Sequence, residues 1–313
     1  MLARIADSMF WMSRYIERTD GIMRMLKVNY TASLDKSSGA VFTWRPILKL
    51  FTFLNEDEIK SMEYDRRAVM KYMIVDRSNE NSLVNIITRS RENARGVQDH
   101  ITLEVWGCIN DFYHLVRQDR MTVLIEKDEV LQVLDELMKQ DLLFYGTADI
   151  TMPREQGWWF MNIGKSIERA LQTVDLLNVK FSDLSYDINT PADTPYWKYL
   201  LMSASGYELY VKTYQSGLNG QNVLQQMVLN NDFPRSILYS VEEVFHYFKN
   251  LRSDRNLSNF NTVNCLIGKL KSKIEYSNLE SISSQGLNHY LDEIRNDLIG
   301  ITNAFNTYYF AQQ

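Results

Sequence analysis

Two glutamates stand out because each sits in the same charged triplet on the same kind of apolar segment. Met9 to Val28 reads MFWMSRYIERTDGIMRMLKV, and Phe160 to Val179 reads FMNIGKSIERALQTVDLLNV. At an offset of 151 residues they pair Met12 with Ile163, Arg14 with Lys165, Ile16 with Ile167, Glu17 with Glu168, Arg18 with Arg169, Met23 with Val174 and Leu26 with Leu177. One turn before each glutamate stands a small residue, Ser13 or Gly164. Small side chains let another helix approach and strip water from the carboxylate. A carboxylate placed there needs donors or a cation, or its pKa rises and it takes a proton. Arg14 and Lys165 precede Glu17 and Glu168 by three residues, within reach on a helix. Arg18 and Arg169 point elsewhere and could reach a neighbouring helix. Three readings stay open at this point. The charges orient helices against one another; or both glutamates and their arginines line a polar pocket between two halves of the chain, where perturbed carboxylates could do acid–base chemistry; or they form a solvated face.

Other groups of residues carry weaker chemistry. In Ser90-Arg91-Glu92-Asn93-Ala94-Arg95, followed by Asp99, His100, Glu104, Trp106 and Asn110, the residues Arg91, Arg95 and Asp99 step by four along one face. That spacing suits an ion-pair ladder; alternatively Arg95 and Glu104 turn inward towards the Ile-Glu-Arg segments, with Glu92 beside them. Pro234-Arg235-Ser236 sits at an expected helix start. Free backbone N–H groups beside Arg235 could hold an anion there, or the start is simply a capped helix with a surface arginine. Glu243/His246 and Asp111/His114 each place a carboxylate and a histidine three apart, and Glu17 and Glu168 would complete the ligand count of a four-helix di-iron site. Both histidines lie in aromatic runs, FYH and FHYF, where a core histidine with one partner is the commoner outcome. No cofactor is therefore assigned. There is no Gly-x-Ser-x-Gly elbow and no glycine-rich phosphate loop. Cys108 and Cys265 lie far apart without metal-ligand spacing, which argues against a disulfide framework and fits a reducing cytoplasm.

The elements that must carry these residues are helices. Leu2, Ile5, Met9, Met12, Ile16, Thr19, Met23 and Leu26 step by three and four, as do Phe160, Ile163, Ile167, Ala170, Val174 and Leu177. This is the seam of a helix packed in a bundle. The pattern predicts long helices near 2–34, 56–75, 80–119, 126–150, 155–181, 195–217, 235–252, 260–277 and 286–311, with shorter ones near 43–54 and 220–230. Asn55 before Glu56, Asp57 and Glu58 reads as a cap followed by acids at the positive helix end. Ser182 to Pro195 (SDLSYDINTPADTP) is the clearest loop. No alternating strand is evident. The fold class is all-α, a multi-helix bundle of two related halves: 1–150 and 151–313, packed as one unit.

A hydrophobic content of 45%, a charged content of 23% and a net charge of −5 belong to a globular protein with no electrostatic pull towards nucleic acid or an anionic membrane. Charges interrupt the first apolar run too early for a signal peptide, and no run is long enough to span a bilayer. A cytoplasmic location is expected.

The opening Met1-Leu-Ala-Arg-Ile-Ala-Asp-Ser-Met-Phe-Trp-Met-Ser-Arg-Tyr-Ile-Glu-Arg18 resembles the start of the bacterial alpha-E domain family. The resemblance continues in order through Ser90 to Arg95 with Glu104 and Trp106, Gly157-Trp158 leading to Gly164-Lys-Ser-Ile-Glu-Arg169, Ser203-Ala-Ser with Tyr207 and Tyr210, and Phe233-Pro-Arg-Ser236. It covers nearly the whole chain. Lys165 departs from the arginine usual in the family, which keeps the charge but loses the planar fork. The resemblance implies an all-helical protein encoded beside, or fused to, a circularly permuted ATP-grasp protein, often with a transglutaminase-like peptidase. That company implies a system that makes or modifies peptide or amide bonds. The expected function is a non-catalytic binding partner in that system, acting through Arg14, Glu17, Arg18, Glu92, Arg95, Glu104, Lys165, Glu168, Arg169 and Arg235. The alternative is an enzyme using Glu17 or Glu168 as general acid or base, or a carboxylate-bridged metal protein.

Overall fold

The computed structural model describes residues 1–34, 42–215 and 217–311. Among these residues every regular element is a helix and no strand occurs, so the fold is all-α as the periodicity predicts. Helix α1 (Ala3–Leu34) buries Met9, Met12, Ile16, Thr19, Met23 and Leu26 completely, although Leu2 at the head of the expected seam stays exposed. The chain divides into two compact units, Trp11–Pro153 and a second that joins Met1–Phe10 to Arg154–Gln313. Helix α1 therefore contributes its first residues to one unit and the remainder to the other.

In the unit Trp11–Pro153, α1 is followed by α2 (Arg45–Phe51), α3 (Glu56–Met62), α4 (Arg66–Ile74), α5 (Leu83–Arg95), α6 (Leu103–Val116), α7 (Asp119–Glu126) and α8 (Val130–Thr151). Helices α1 and α8 run antiparallel. Tyr145 meets Glu17 at one end and Asp135 meets Lys27 at the other. Helix α6 packs on both α5 and α8, and Thr102 touches Thr151 at 2.9 Å where α6 begins and α8 ends. Asn55 caps α3 in a capping box with Glu58, as its sequence predicts. Two expected helices are broken. The 56–75 segment divides because the Asp65 carboxylate accepts from the Ala68 amide at 3.0 Å and starts α4 afresh. The 80–119 segment stops at Gly96, passes through a short 3₁₀ turn at Gln98–His100, and restarts where Thr102 caps α6.

The second unit holds α9 (Gln156–Ser182), α10 (Thr194–Ser203), α11 (Tyr207–Thr213), α12 (Gly220–Leu224), α13 (Ile237–Lys249), α14 (Leu257–Glu275), α15 (Leu279–Gln285) and α16 (Leu287–Phe305). Its centre is a bundle of α9, α13, α14 and α16. Ile163, Ile167, Ala170, Val174 and Leu177 of α9 are fully buried. Phe248 stacks on Phe260 at 4.9 Å, and Phe305 meets Phe10, Phe160 and Phe248. The expected 195–217 helix breaks at Ser205, whose φ of 54° lies in the left-handed region. Gly206 follows where a Cβ would come within 2.7 Å of Gln226 Nε2 and 2.8 Å of the Phe233 ring. Ser216, at the far end of that expected helix, lies outside the described residues. Residues 183–193 form the expected loop. No helix of the described residues is long and apolar enough to cross a membrane.

Candidate functional site

Glu17 is the deepest charged group of α1, with no exposed surface. A carboxylate at 0% exposure needs donors, and Tyr145 of α8 supplies one, its hydroxyl donating to Glu17 Oε2 at 2.8 Å. Asp20 lies one turn further along at 2% exposure and receives Arg24 Nε at 2.8 Å. Burial works against the charge on Arg24, but Asp20, Asp141 and Glu17 outweigh it and hold its pKa above the usual arginine value. The fields of carboxylates on α1 and α8 thus act together on one guanidinium. Arg14 is 4% exposed, with its guanidinium carbon 4.6 Å from the centre of the Trp11 ring. Arg18 is half-buried and lies 5.8 Å from the Tyr15 ring. Ser90, the first residue of the Ser-Arg-Glu-Asn-Ala-Arg stretch, is buried and donates to the Met12 carbonyl at 3.0 Å, which ties α5 to the turn before Glu17.

In the other unit α9 presents the matching residues with different neighbours. Glu168 is buried. Lys165 Nζ donates to Asn162 Oδ1 at 2.7 Å, and Asn162 in turn donates to the Trp158 carbonyl. Arg169 reaches off its own helix, as its position predicts, donating Nη1 to the Pro234 carbonyl at 3.3 Å. Thr173, one turn on, donates to the Arg235 carbonyl at 2.9 Å. The Phe233-Pro-Arg-Ser turn is therefore held by α9 through its backbone. Ser236 caps α13 by accepting from the Tyr239 amide at 3.0 Å, an ordinary capped start. Beside it, burial and Glu243 raise the pKa of Tyr239 against the opposing charge of Arg169.

Glu92, Arg95 and Glu104 are not drawn into the Glu17 cluster. Arg95 is 63% exposed and pairs with Glu92 at 2.6 Å, and Glu104 is exposed. The inward alternative for Arg95 and Glu104 is thereby corrected: Glu92, one turn back on the same helix, offers Arg95 a carboxylate at the surface. The expected four-step pairing is replaced by this three-step pair. The histidine expectation is corrected too. His114 and His246 are exposed, resting edge-on against Tyr113 and Tyr247. Each lies late on its helix, on the outward face. Among the described residues no group of three or more His, Cys, Asp or Glu is placed to hold a metal ion. Cys108 is buried, Cys265 is exposed, and both are free thiols.

The sequence reading missed Tyr145, Asp141, Asp20, Arg24 and Thr173. Asp141 had a legible mark. Val130, Val133, Leu134, Leu137, Phe144 and Ala148 form the buried seam of α8, and Asp141 occupies a seam position where an apolar residue is expected. Tyr145 lies one turn beyond it. An acid on a seam signals a buried partner even when the partner is remote in sequence.

An uncharacterized protein of Mycobacterium bovis is 24% identical over 312 residues, covering 93% of this chain and 34% of its own length. Uncharacterized proteins of two Mycobacterium tuberculosis strains are 24% and 23% identical over the same span. The chain spans about a third of the length of these relatives. No solved structure matches. A family model described as a predicted alpha-helical domain with a conserved ER motif matches residues 1–310. Both Glu17-Arg18 and Glu168-Arg169 read as such a motif, on helices as the description requires. By this match across nearly its full length, the chain belongs to the Alpha-E family.

Proposed function

We propose that this chain is a non-catalytic helical binding protein that serves an ATP-grasp enzyme in the cytoplasm, within a system that makes or modifies peptide or amide bonds. A transglutaminase-like peptidase is a further partner of the same system. The observation that carries the reading is the way α9 grips the Pro234–Arg235 turn through two carbonyls, with Arg169 and Thr173 as donors. Lys165, Arg169 and Arg235 beside that grip are half-buried, so each still presents part of its side chain at the surface. The buried groups Glu17, Arg14 and Glu168 set the helices that carry such a surface. Buried ionic networks of this kind serve orientation better than net stability.

The test is co-purification. The tagged chain is co-expressed with a circularly permuted ATP-grasp protein, and compared with a folded Glu17→Gln/Glu168→Gln variant. Retention of the ATP-grasp protein by the wild-type chain and its loss from the variant supports the reading. Conversion of a peptide substrate by the purified chain alone overturns it.

A second reading is favoured by the Glu17–Tyr145 pair. A fully buried carboxylate under a phenolic donor is a candidate general acid or base. Its mark is an activity that vanishes in Glu17→Gln or Glu168→Gln while thermal stability is kept.

A further inference from the structure

On α6, Trp106, Asn110 and Tyr113, followed by Arg117 at its C-cap, recur at helical spacing on one face, and Arg91 of α5 inserts among them. The Arg91 guanidinium carbon lies 5.5 Å from the centre of the Trp106 ring and 4.6 Å from that of Tyr113. Arg117 lies 4.8 Å from the same Tyr113 ring and donates Nη1 to its hydroxyl at 2.5 Å. Arg91 Nε donates to Asn110 Oδ1 at 2.7 Å, and Asn110 is anchored to the Trp106 carbonyl at 3.0 Å. Two cations and two rings are thus interleaved, with Asn110 fixing the plane of the inner guanidinium.

The charges do not balance within the cluster. Arg91 and Arg95 share the single carboxylate of Glu92, at 3.2 and 2.6 Å. Arg117 has no carboxylate at ion-pair distance among the described residues. Three guanidinium groups therefore meet one acid, on a chain whose overall charge is −5. Ring contacts cover part of Arg91 and Arg117 and leave further N–H groups for acceptors. A guanidinium already restrained by a ring and a hydrogen bond loses little further freedom on pairing, so its fork is prepared for a carboxylate.

We propose that this face of α5 and α6 docks an acidic segment of a partner protein, with Arg91 and Arg117 reading adjacent carboxylates and Arg95 at the rim. The overall negative charge disfavours a nucleic acid or another extended polyphosphate, which would be repelled at long range. A short acidic peptide feels mainly the local surplus. The inference goes beyond the proposed function, because none of its residues belongs to the Glu17 cluster or to the Pro234–Arg235 turn.

The test uses the full chain and a fluorescein-labelled peptide of alternating glutamate and alanine, read by anisotropy at low salt. Its controls are the same peptide with glutamine for glutamate, and inorganic tripolyphosphate as competitor. The expected result is binding of the glutamate peptide, no binding of the glutamine peptide, and about a ten-fold loss of affinity in Arg117→Gln. Arg117 is exposed at the end of α6, so this variant keeps its melting temperature. Arg91→Lys, which retains the charge but not the stacked fork, also weakens binding, whereas a mere basic field would be unmoved. Equal binding by wild type and Arg117→Gln overturns the proposal. So does stronger binding of tripolyphosphate than of the peptide.

Discussion

Helices α1 and α9 bury the same kind of apolar stripe and carry the same Ile-Glu-Arg triplet, but the side chains of the two triplets are anchored differently. In α1 the anchors beside the triplet include a side chain-to-side chain pair, Tyr145 on Glu17, together with the Ser90 hydroxyl on the Met12 carbonyl. In α9 they include side chain to main chain: Arg169 on the Pro234 carbonyl and Thr173 on the Arg235 carbonyl. The first kind depends on the chemistry of a residue over a hundred positions away. The second depends on the path of a turn, whatever side chains the turn carries. One sequence device can thus be secured by a paired side chain in one place and by backbone geometry in another.

Removing the buried acid tests this contrast most severely. Glu17→Ala deletes the acceptor of Tyr145 and one of the carboxylates facing Arg24, so a loss of about 3–5 kcal/mol in unfolding free energy is expected, read by urea titration. A loss under about 1 kcal/mol would mean that Glu17 is dispensable to the pairing of α1 and α8. Tyr145→Phe is milder. It removes one donor to a charged acceptor and is expected to cost about 1.5–3 kcal/mol in the same titration. Thr173→Val removes a neutral hydrogen bond to a carbonyl that belongs to a turn, and about 0.5–1.5 kcal/mol is expected. If Thr173→Val costs as much as Tyr145→Phe, the distinction between the two kinds of anchor fails. The last effect is a pH dependence, confined to alkaline pH and absent at neutrality. Burial among Phe160, Phe248 and Phe305 pushes the Tyr309 hydroxyl from its ordinary value of 10.0 up to about 12. The folded state holds this proton more tightly than the unfolded chain. Its contribution to stability is therefore complete below pH 10 and is lost as pH rises from there towards 12. Tyr309→Phe is expected to flatten that part of the stability profile, measured by denaturant midpoints across the range.

The long helices with continuous seams were the legible part of the fold. Helices α1 and α9 follow directly from apolar residues at three and four, and the Asn55 cap from its neighbours. The breaks were less legible. Asp65 lies between charged residues that suit a helix as well as a cap, and only the fold selects the cap. Ser205 takes a left-handed conformation that its residue type does not announce, next to a Gly206 crowded by Gln226 and Phe233. At the site, the burial of Glu17 and Glu168 could be inferred from Ser13 and Gly164, because small neighbours permit close approach. The partners could not. Tyr145 and the Pro234–Arg235 turn come from elements whose placement no local pattern encodes. The histidines failed for a related reason: an aromatic neighbour indicates a ring contact but does not say whether that contact is inside or outside.

The division of α1 has a consequence for any attempt to take the molecule apart. The chain's first ten residues, which include the start of α1, belong to the compact unit that otherwise begins at Arg154, and Phe10 packs there on Phe305 and Phe310. A protease that cuts near Pro153 would thus yield two fragments, the first of which carries a piece of the second one's core. Such fragments behave as complementing halves. They are expected to stay together after the backbone is nicked, whereas prepared alone the second exposes an unfilled hydrophobic seat and the first exposes Phe10, which fills it.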